Sequence, residues 1–450
     1  MRKLITLFGI TLLLSNSSAL AINLNDALVS CYENNDDLKL SRKAFQNEIE
    51  AFPQAISGFL PSIGARVDSN LTKTKAQSKF SSAPSSDQRS LGKSLIIQQS
   101  VFSGGSGMAA LKTAQESFRA SRGKYYSQEQ NTFLGAITAY LDFYEAGEKF
   151  RISDTSVRTN QKQLESIEER FKLGESTTTD LATARANLAS AETQQLSFYA
   201  NLQTAKANFI RIFGIEPQEI SIPNIPDNLP SSLEELEQKS RANPALYNAR
   251  HNVAVAKSQE WTAKAALLPR ADFNIQAGKN FPDPEIRGTS INSFSVSSTF
   301  SVQIPILTQG GAEYSRIRTA KNNARAAIIT LDSQEKKVHS DCITAWEGFN
   351  AAKSQIISAT KFVDAAQIAY DGTVHEEAVG SKTILDVFNA EDKLNSAKIQ
   401  KVGAEKAYVI AAFQMKSLVG QLTAKSLALK VKYFSPEAEF KKTKIKVIGS

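Results

Sequence analysis

Apolar and polar residues alternate over two short stretches of the chain. Ile63, Ala65 and Val67 mark the first, and Phe273, Ile275 and Ala277 the second. Each has a downstream partner, "SLIIQQSVF" at 94–102 and "FSVSSTFSVQIPI" at 294–306. In the latter, Phe294, Val296, Phe300, Val302 and Ile304 fall on one side of a period-2 ribbon. The connecting loops, 72–89 and 278–292, are long and polar. The pattern predicts one long-looped β-hairpin over 61–102 and another over 269–306.

The pattern changes after Gly104-Gly105 and Gly310-Gly311. No proline lies between Pro84 and Pro217, or between Pro305 and Pro436, and these stretches are rich in Ala, Gln, Lys, Glu and Leu. That composition favours helix. Long helices are expected over 105–213 and 311–419, each reversing once. The outgoing rods end at Gly174 and Gly380, and at ~1.5 Å per residue each spans roughly 100 Å. The return helices, 177–213 and 383–419, close on Gly214 and Gly420, which suit a left-handed cap. Rods of this length must pack side by side to bury an apolar stripe. Shorter helical stretches, 24–58 and 233–266, precede the hairpins and stop at Leu60-Pro61 and Leu268-Pro269.

These elements occur twice in one order. "FKLGESTTTDLATARANLASA" at 171–191 is echoed by "EAVGSKTILDVFNAEDKLNSA" at 377–397, 206 positions on, as is "AITAYLDF" at 136–143 by "CITAWEGF" at 342–349. Leu38 and Leu60-Pro61 match Leu246 and Leu268-Pro269 at an offset of 208. Such a period is too long for a solenoid. The expected organisation is a signal peptide over 1–21, a first repeat over 22–214, a proline-rich linker over 215–232, a second repeat over 233–420 and a Lys-rich tail over 421–450. The tail has no counterpart in the first repeat and reads as peripheral.

Residues 1–21 join a basic head, an apolar core and a small-residue "ALA", the pattern of a secretory leader. Its removal lowers the formal charge from +8 to +6, a spread surplus that does not argue for nucleic acid. The two cysteines, Cys31 and Cys342, are no disulfide scaffold in an exported chain of 450 residues. No later apolar run is long enough for a transmembrane helix. Membrane crossing would therefore need a closed β-barrel. Two hairpins give four strands, whereas membrane barrels begin at about eight. Several chains must combine; two, three or four would each satisfy this arithmetic.

The repeated tip reads first as local chemistry. Gly174 and Gly380 permit the positive φ of a reversal. Thr177 and Thr383 are placed to N-cap the return helices, and Asp180 and Asp386 sit in the first turn against the helix dipole.

Leader, duplicated hairpin-plus-helix units, "VFSGG" and "ILTQGG" before the rods, and paired G-x-x-T-x-x-D tips together resemble the TolC outer-membrane efflux channel family over nearly the whole mature chain. The resemblance implies a mainly α fold with a membrane β-barrel portion. A homotrimer would form a 12-stranded barrel in outer-membrane lipid and a long α-helical barrel in the periplasm. It implies a passive channel-tunnel exporting small molecules or proteins. An inner-membrane transporter and a periplasmic adaptor would be partners, with no cofactor and no catalysis.

It further implies that Asp386 lines the narrowest point of the tunnel. Asn389 stands where a second ring-forming Asp is usual. A basic residue two after the second glycine, here Lys382, would hold the closed tip through Asp180, with Glu377 in place of a Tyr that normally helps. Phe171, Leu173, Gly174, Val379 and Gly380 match the adaptor-facing region.

Other signals carry little. "GGSG" at 104–107 reads as a strand-to-helix hinge, and "GKS" at 92–94 lacks the upstream glycine of a phosphate loop. His251, His339 and His375 have no ligand spacing. No catalytic arrangement can be argued. The rival reading is an exported coiled-coil or adhesin-like scaffold, which leaves the matched alternation of both hairpins unexplained.

Overall fold

The structure is a computed structural model describing residues 23–74, 77–78, 81–82, 86–282, 293–307, 309–444 and 446. The leader expected over 1–21 lies outside the described residues, as do parts of both long loops and the end of the tail. The described elements run α1 (Leu24–Asn34), α2 (Asp36–Ile49), α3 (Ala51–Ser57), β1 (Ser62–Thr74), β2 (Gln77–Ser78), β3 (Ser81–Ser82) and β4 (Ser86–Ser103). They continue with α4 (Ser106–Lys172), α5 (Thr178–Phe213), α6 (Leu233–Ser240), α7 (Pro244–Ala265), β5 (Arg270–Pro282), β6 (Ser293–Gln303), α8 (Ala312–Ala378), α9 (Ile384–Leu418) and α10 (Pro436–Thr443).

The chain divides into two compact units: 40–127 with 241–339 and 434–450, and 1–39 with 128–240 and 340–433. The first contains the main sheet. Its four antiparallel strands lie in the order β1-β4-β5-β6, so the two hairpins join through β4 and β5. Register explains the alternation in the sequence. Ala65 pairs with Leu95, Leu95 with Ala277, and Ala277 with Val296, forming one apolar row. Ile63, Ile97 and Ile275 align in the same way. Successive side chains point to opposite faces, so Arg66, Ser94, Gly278 and Ser295 form a polar row behind it. The apolar face is open among the described residues: Ile63, Val67, Phe294, Val296 and Phe300 are all exposed.

The tail corrects the peripheral reading. Phe440 of α10 stacks on Phe118 with ring centroids 3.9 Å apart and meets Phe52 edge-on at 5.0 Å. Phe434 meets Phe45 edge-on at 5.8 Å. The tail thus packs two half-buried aromatic rings against Phe45, Phe52 and Phe118 of this unit. Its aromatic residues do this, while its lysines gave the sequence its polar look.

Two further differences concern the short helices. The stretch 24–58 forms three helices: Asn35 ends α1 in extended backbone, with its Oδ1 accepting from the Leu38 amide at 3.2 Å, and a second break at Glu50 separates α2 from α3. The stretch 233–266 breaks at Asn243-Pro244. There the asparagine caps α7 by accepting from the Ala245 amide at 2.8 Å, and proline occupies the first turn.

The second unit is a helix bundle. Phe133, Ile137, Tyr140 and Leu141 place a buried stripe on α4 at helical spacing. Ser30 Oγ donates to the Phe213 carbonyl at 2.7 Å and ties α1 to the end of α5. Both thiols are buried and unbridged. Burial pushes the Cys31 thiol up to about 12, far from reactivity.

Candidate functional site

Two helix reversals in the bundle unit form the candidate site. At the end of α4, Gly174 has φ +78, and the Glu175 amide donates back to the Arg170 carbonyl at 2.9 Å. At the end of α8, Gly380 also has φ +78, and the Ser381 amide donates to the Glu376 carbonyl at 2.9 Å. A Cβ would meet no atom within 4 Å at either glycine. Backbone conformation alone therefore calls for glycine there.

The return helices begin with closed capping boxes. Thr177 Oγ1 accepts from the Asp180 amide at 3.1 Å, and the Thr177 amide donates to Asp180 Oδ2 at 3.0 Å. In the second copy, Thr383 Oγ1 accepts from the Asp386 amide at 3.3 Å and the Thr383 amide donates to Asp386 Oδ2 at 2.9 Å. Each threonine hydroxyl also donates to its aspartate, at 2.7 and 2.8 Å. These bonds, with help from Ser176 for Asp180 and the Lys382 charge for Asp386, hold both carboxyls below the usual range. Every bond that the two carboxylates accept ends on Oδ2. No described residue bonds either Oδ1.

Packing fixes the outward face of α9. Phe388 is buried with Leu164, Ile167 and Ala184, and Ile384 packs on the same cluster. Asn389 is consequently exposed, and so is Lys382, in the turn before α9. Lys382 is not bonded to Asp180 within the chain. Phe171, Leu173 and Val379 are exposed apolar residues at the reversals, Leu173 and Val379 by 76% and 80%.

Glu377 has a partner that the sequence reading missed. Its Oε1 lies 2.7 Å from Arg170 Nη1, linking the ends of α4 and α8. Opposite charges at the ends of two matched rods were the available signal.

The geometry can be set beside known proteins. The model of the family described as outer membrane efflux protein matches residues 27–214 and 236–421. The chain belongs to the outer membrane efflux protein family. It is 28% identical to the outer membrane efflux protein BepC of Brucella suis biovar 1 (strain 1330), across 97% of this chain and 93% of the Brucella protein. It is 25% identical to the outer membrane protein TolC of Escherichia coli (strain K12), across 95% of this chain and 88% of that protein. The crystal structure of the Campylobacter jejuni CmeC outer membrane channel superposes with a TM-score of 0.80 at 16% identity, covering 94% of this chain and 89% of that one. No helix among the described residues is long and apolar enough to cross a membrane, and β1 and β6 are the edge strands of the described sheet. In this family the protein resides in the outer membrane, with its helices in the periplasm.

Proposed function

We propose that three copies of this chain form a passive export duct through the outer membrane and periplasm. The observation that carries the reading is the four-stranded sheet. It is apolar on one face and polar on the other, and β1 and β6 have no further partner strand among the described residues. Such edges pair with another strand or are protected, and an apolar exterior over a polar lumen is the chemistry of a membrane barrel. Three sheets make twelve strands. Exposed Ile329, Ile343 and Ile357 recur every fourteen residues on α8, a seam suited to a neighbouring helix.

The reversals form the periplasmic gate. A threefold ring of Asp386 concentrates negative potential in a narrow opening and favours cations. Asn389 adds no second charged ring. Lys382 of one copy pairs with Asp180 of the next through the carboxylate oxygen left open by the cap. Phe171, Leu173, Gly174, Val379 and Gly380 meet the periplasmic adaptor, and the energy for export comes from an inner-membrane transporter. Thr177 and Thr383 hold the tip helices in shape.

Single-channel conductance in planar bilayers tests this reading. The expected result is a small, cation-favouring conductance that grows in the Asp180→Ala, Lys382→Ala variant. Equal, large conductance in both proteins would discard the latch. No conductance from folded, inserted protein would discard the duct.

A further inference from the structure

Two lysines stand side by side on the apolar face of the sheet. Lys93 of β4 pairs directly with Lys279 of β5, in a row that runs Val67, Lys93, Lys279, Phe294. This row follows the Ala65, Leu95, Ala277, Val296 row on the same face, towards the long loops. Val67 and Phe294 are exposed by 67% and 70%, and both lysines are exposed between them.

Like charges directly opposite each other destabilise a sheet. Neither lysine forms an ion pair among the described residues. Asp68 faces the other way: a Cβ at Gly92, which pairs with it, would meet its carboxylate at 2.6 Å behind the sheet. Asp87, on the same face of β4 as Lys93, stands opposite Lys73 in the register. Arg89 adds positive charge to this face, opposite Leu71.

Both lysines lean away from the apolar rows. Lys93 Nζ lies 5.6 Å and Lys279 Nζ 5.0 Å from the centre of the Phe281 ring, which is further along β5 towards the loop. Long basic side chains bend in this way to keep their charge in the polar layer next to hydrocarbon. Their height agrees. From Ala271 to Lys279 the strand extends about 27 Å at ~3.4 Å per residue. Tilted by about 40° it rises roughly 21 Å, against an apolar band about 25 Å tall in membrane barrels. The lysines therefore close the apolar band at its outer rim, where the surrounding anions are lipid headgroups.

We propose that Lys93 and Lys279 together bind the phosphate group of an anionic lipid at the outer surface of the membrane. The two ammonium groups hold one phosphate between them, which relieves their repulsion. The lipid chains lie on Leu95, Ala277 and Val296. The inference rests on the part of the duct reading that turns the apolar face to lipid.

The test is native mass spectrometry of the full-length, detergent-solubilised protein with phosphatidic acid or with phosphatidylcholine carrying the same chains. Phosphatidic acid presents a bare phosphate, whereas the choline of phosphatidylcholine offsets its own. The expected result is a roughly tenfold or greater preference for phosphatidic acid. The Lys93→Gln, Lys279→Gln variant should lose it, and the Lys93→Arg, Lys279→Arg variant should keep it. Lys353→Gln, Lys361→Gln on α8 removes the same charge and should leave the preference unchanged. No preference in the unaltered protein, an equal preference in the Lys93→Gln, Lys279→Gln variant, or an equal loss in the α8 variant would each overturn the site. Inorganic phosphate at the same concentration should not displace the lipid; displacement would mark a site for free anions and overturn the lipid assignment. Conductance of the same preparation reports on the duct separately. Conducting protein without the preference discards the site and keeps the duct. Inserted protein that shows the preference without conducting keeps the site and discards the duct.

Discussion

Arg170 Nη1 lies 2.7 Å from Glu377 Oε1, tying the last turn of α4 to the last turn of α8. An acid near a helix C-terminus opposes the dipole there, and the guanidinium offsets it. The arginine is 45% exposed and the glutamate 17%, so the pair contributes on the order of 1 kcal/mol.

If the tips part when the gate opens, Arg170→Ala and Glu377→Ala should each raise resting conductance. The charge-swapped double variant should recover much of the original value. A double-mutant cycle in bilayers measures the coupling. Independent, additive effects would show that the pair does not hold the gate.

Lys382 presents a point charge where a guanidinium would present a fork. Asp180 keeps Oδ1 unbonded within the chain, because its cap uses Oδ2. Lys382→Arg should therefore lower resting conductance, and Lys382→Ala should raise it. Conductance unchanged by both substitutions would remove the latch and leave the duct intact.

The tip glycines separate backbone effects from packing. Both have φ +78 with open space at the Cβ position. Alanine at Gly174 or Gly380 should destabilise the reversal by roughly 1–2 kcal/mol, without a steric clash. Thr177→Ala should cost about 1 kcal/mol through the lost cap, and Thr177→Ser much less. Amide hydrogen exchange reads both effects, at the start of α5 for the Gly174 and Thr177 variants and at the start of α9 for the Gly380 variant. Equal exchange in all these variants would mean that neighbouring helices, and not the local chemistry, hold the tip.

What the sequence revealed follows from which interactions are local. The sheet was legible because one apolar and one polar face impose period 2 on Phe273, Ile275 and Ala277. The caps were legible because a capping box needs only residues three apart, and duplication wrote it twice. The tail was not, since Phe434 and Phe440 gain meaning only against Phe45, Phe52 and Phe118, hundreds of positions away. Nor was the Arg170–Glu377 pair, formed between two rods. Glu391 left a faint trace: it stands between Val387 and Leu394 at the spacing of a buried stripe, where an acid is out of place.

The pH response should separate the tip acids from Glu391. Asp180 and Asp386 have depressed folded values. Their contribution is fully present above the unfolded value of about 3.9 and is lost only as pH falls through the lower folded one. Between pH 5 and 8 they should leave tip stability unchanged. Glu391 has the opposite sign. Its folded value of about 7 exceeds an unfolded value of about 4.3. The unfolded chain therefore loses this proton first, and stability falls as pH rises from about 4 to 7, then levels. The total is on the order of 3 kcal/mol. Glu391→Gln cannot ionise and should be the more stable protein at pH 8. Denaturant unfolding at pH 5, 6, 7 and 8 should show the two proteins diverging over that range. Parallel curves would mean that Glu391 ionises in the folded chain as readily as in the unfolded one.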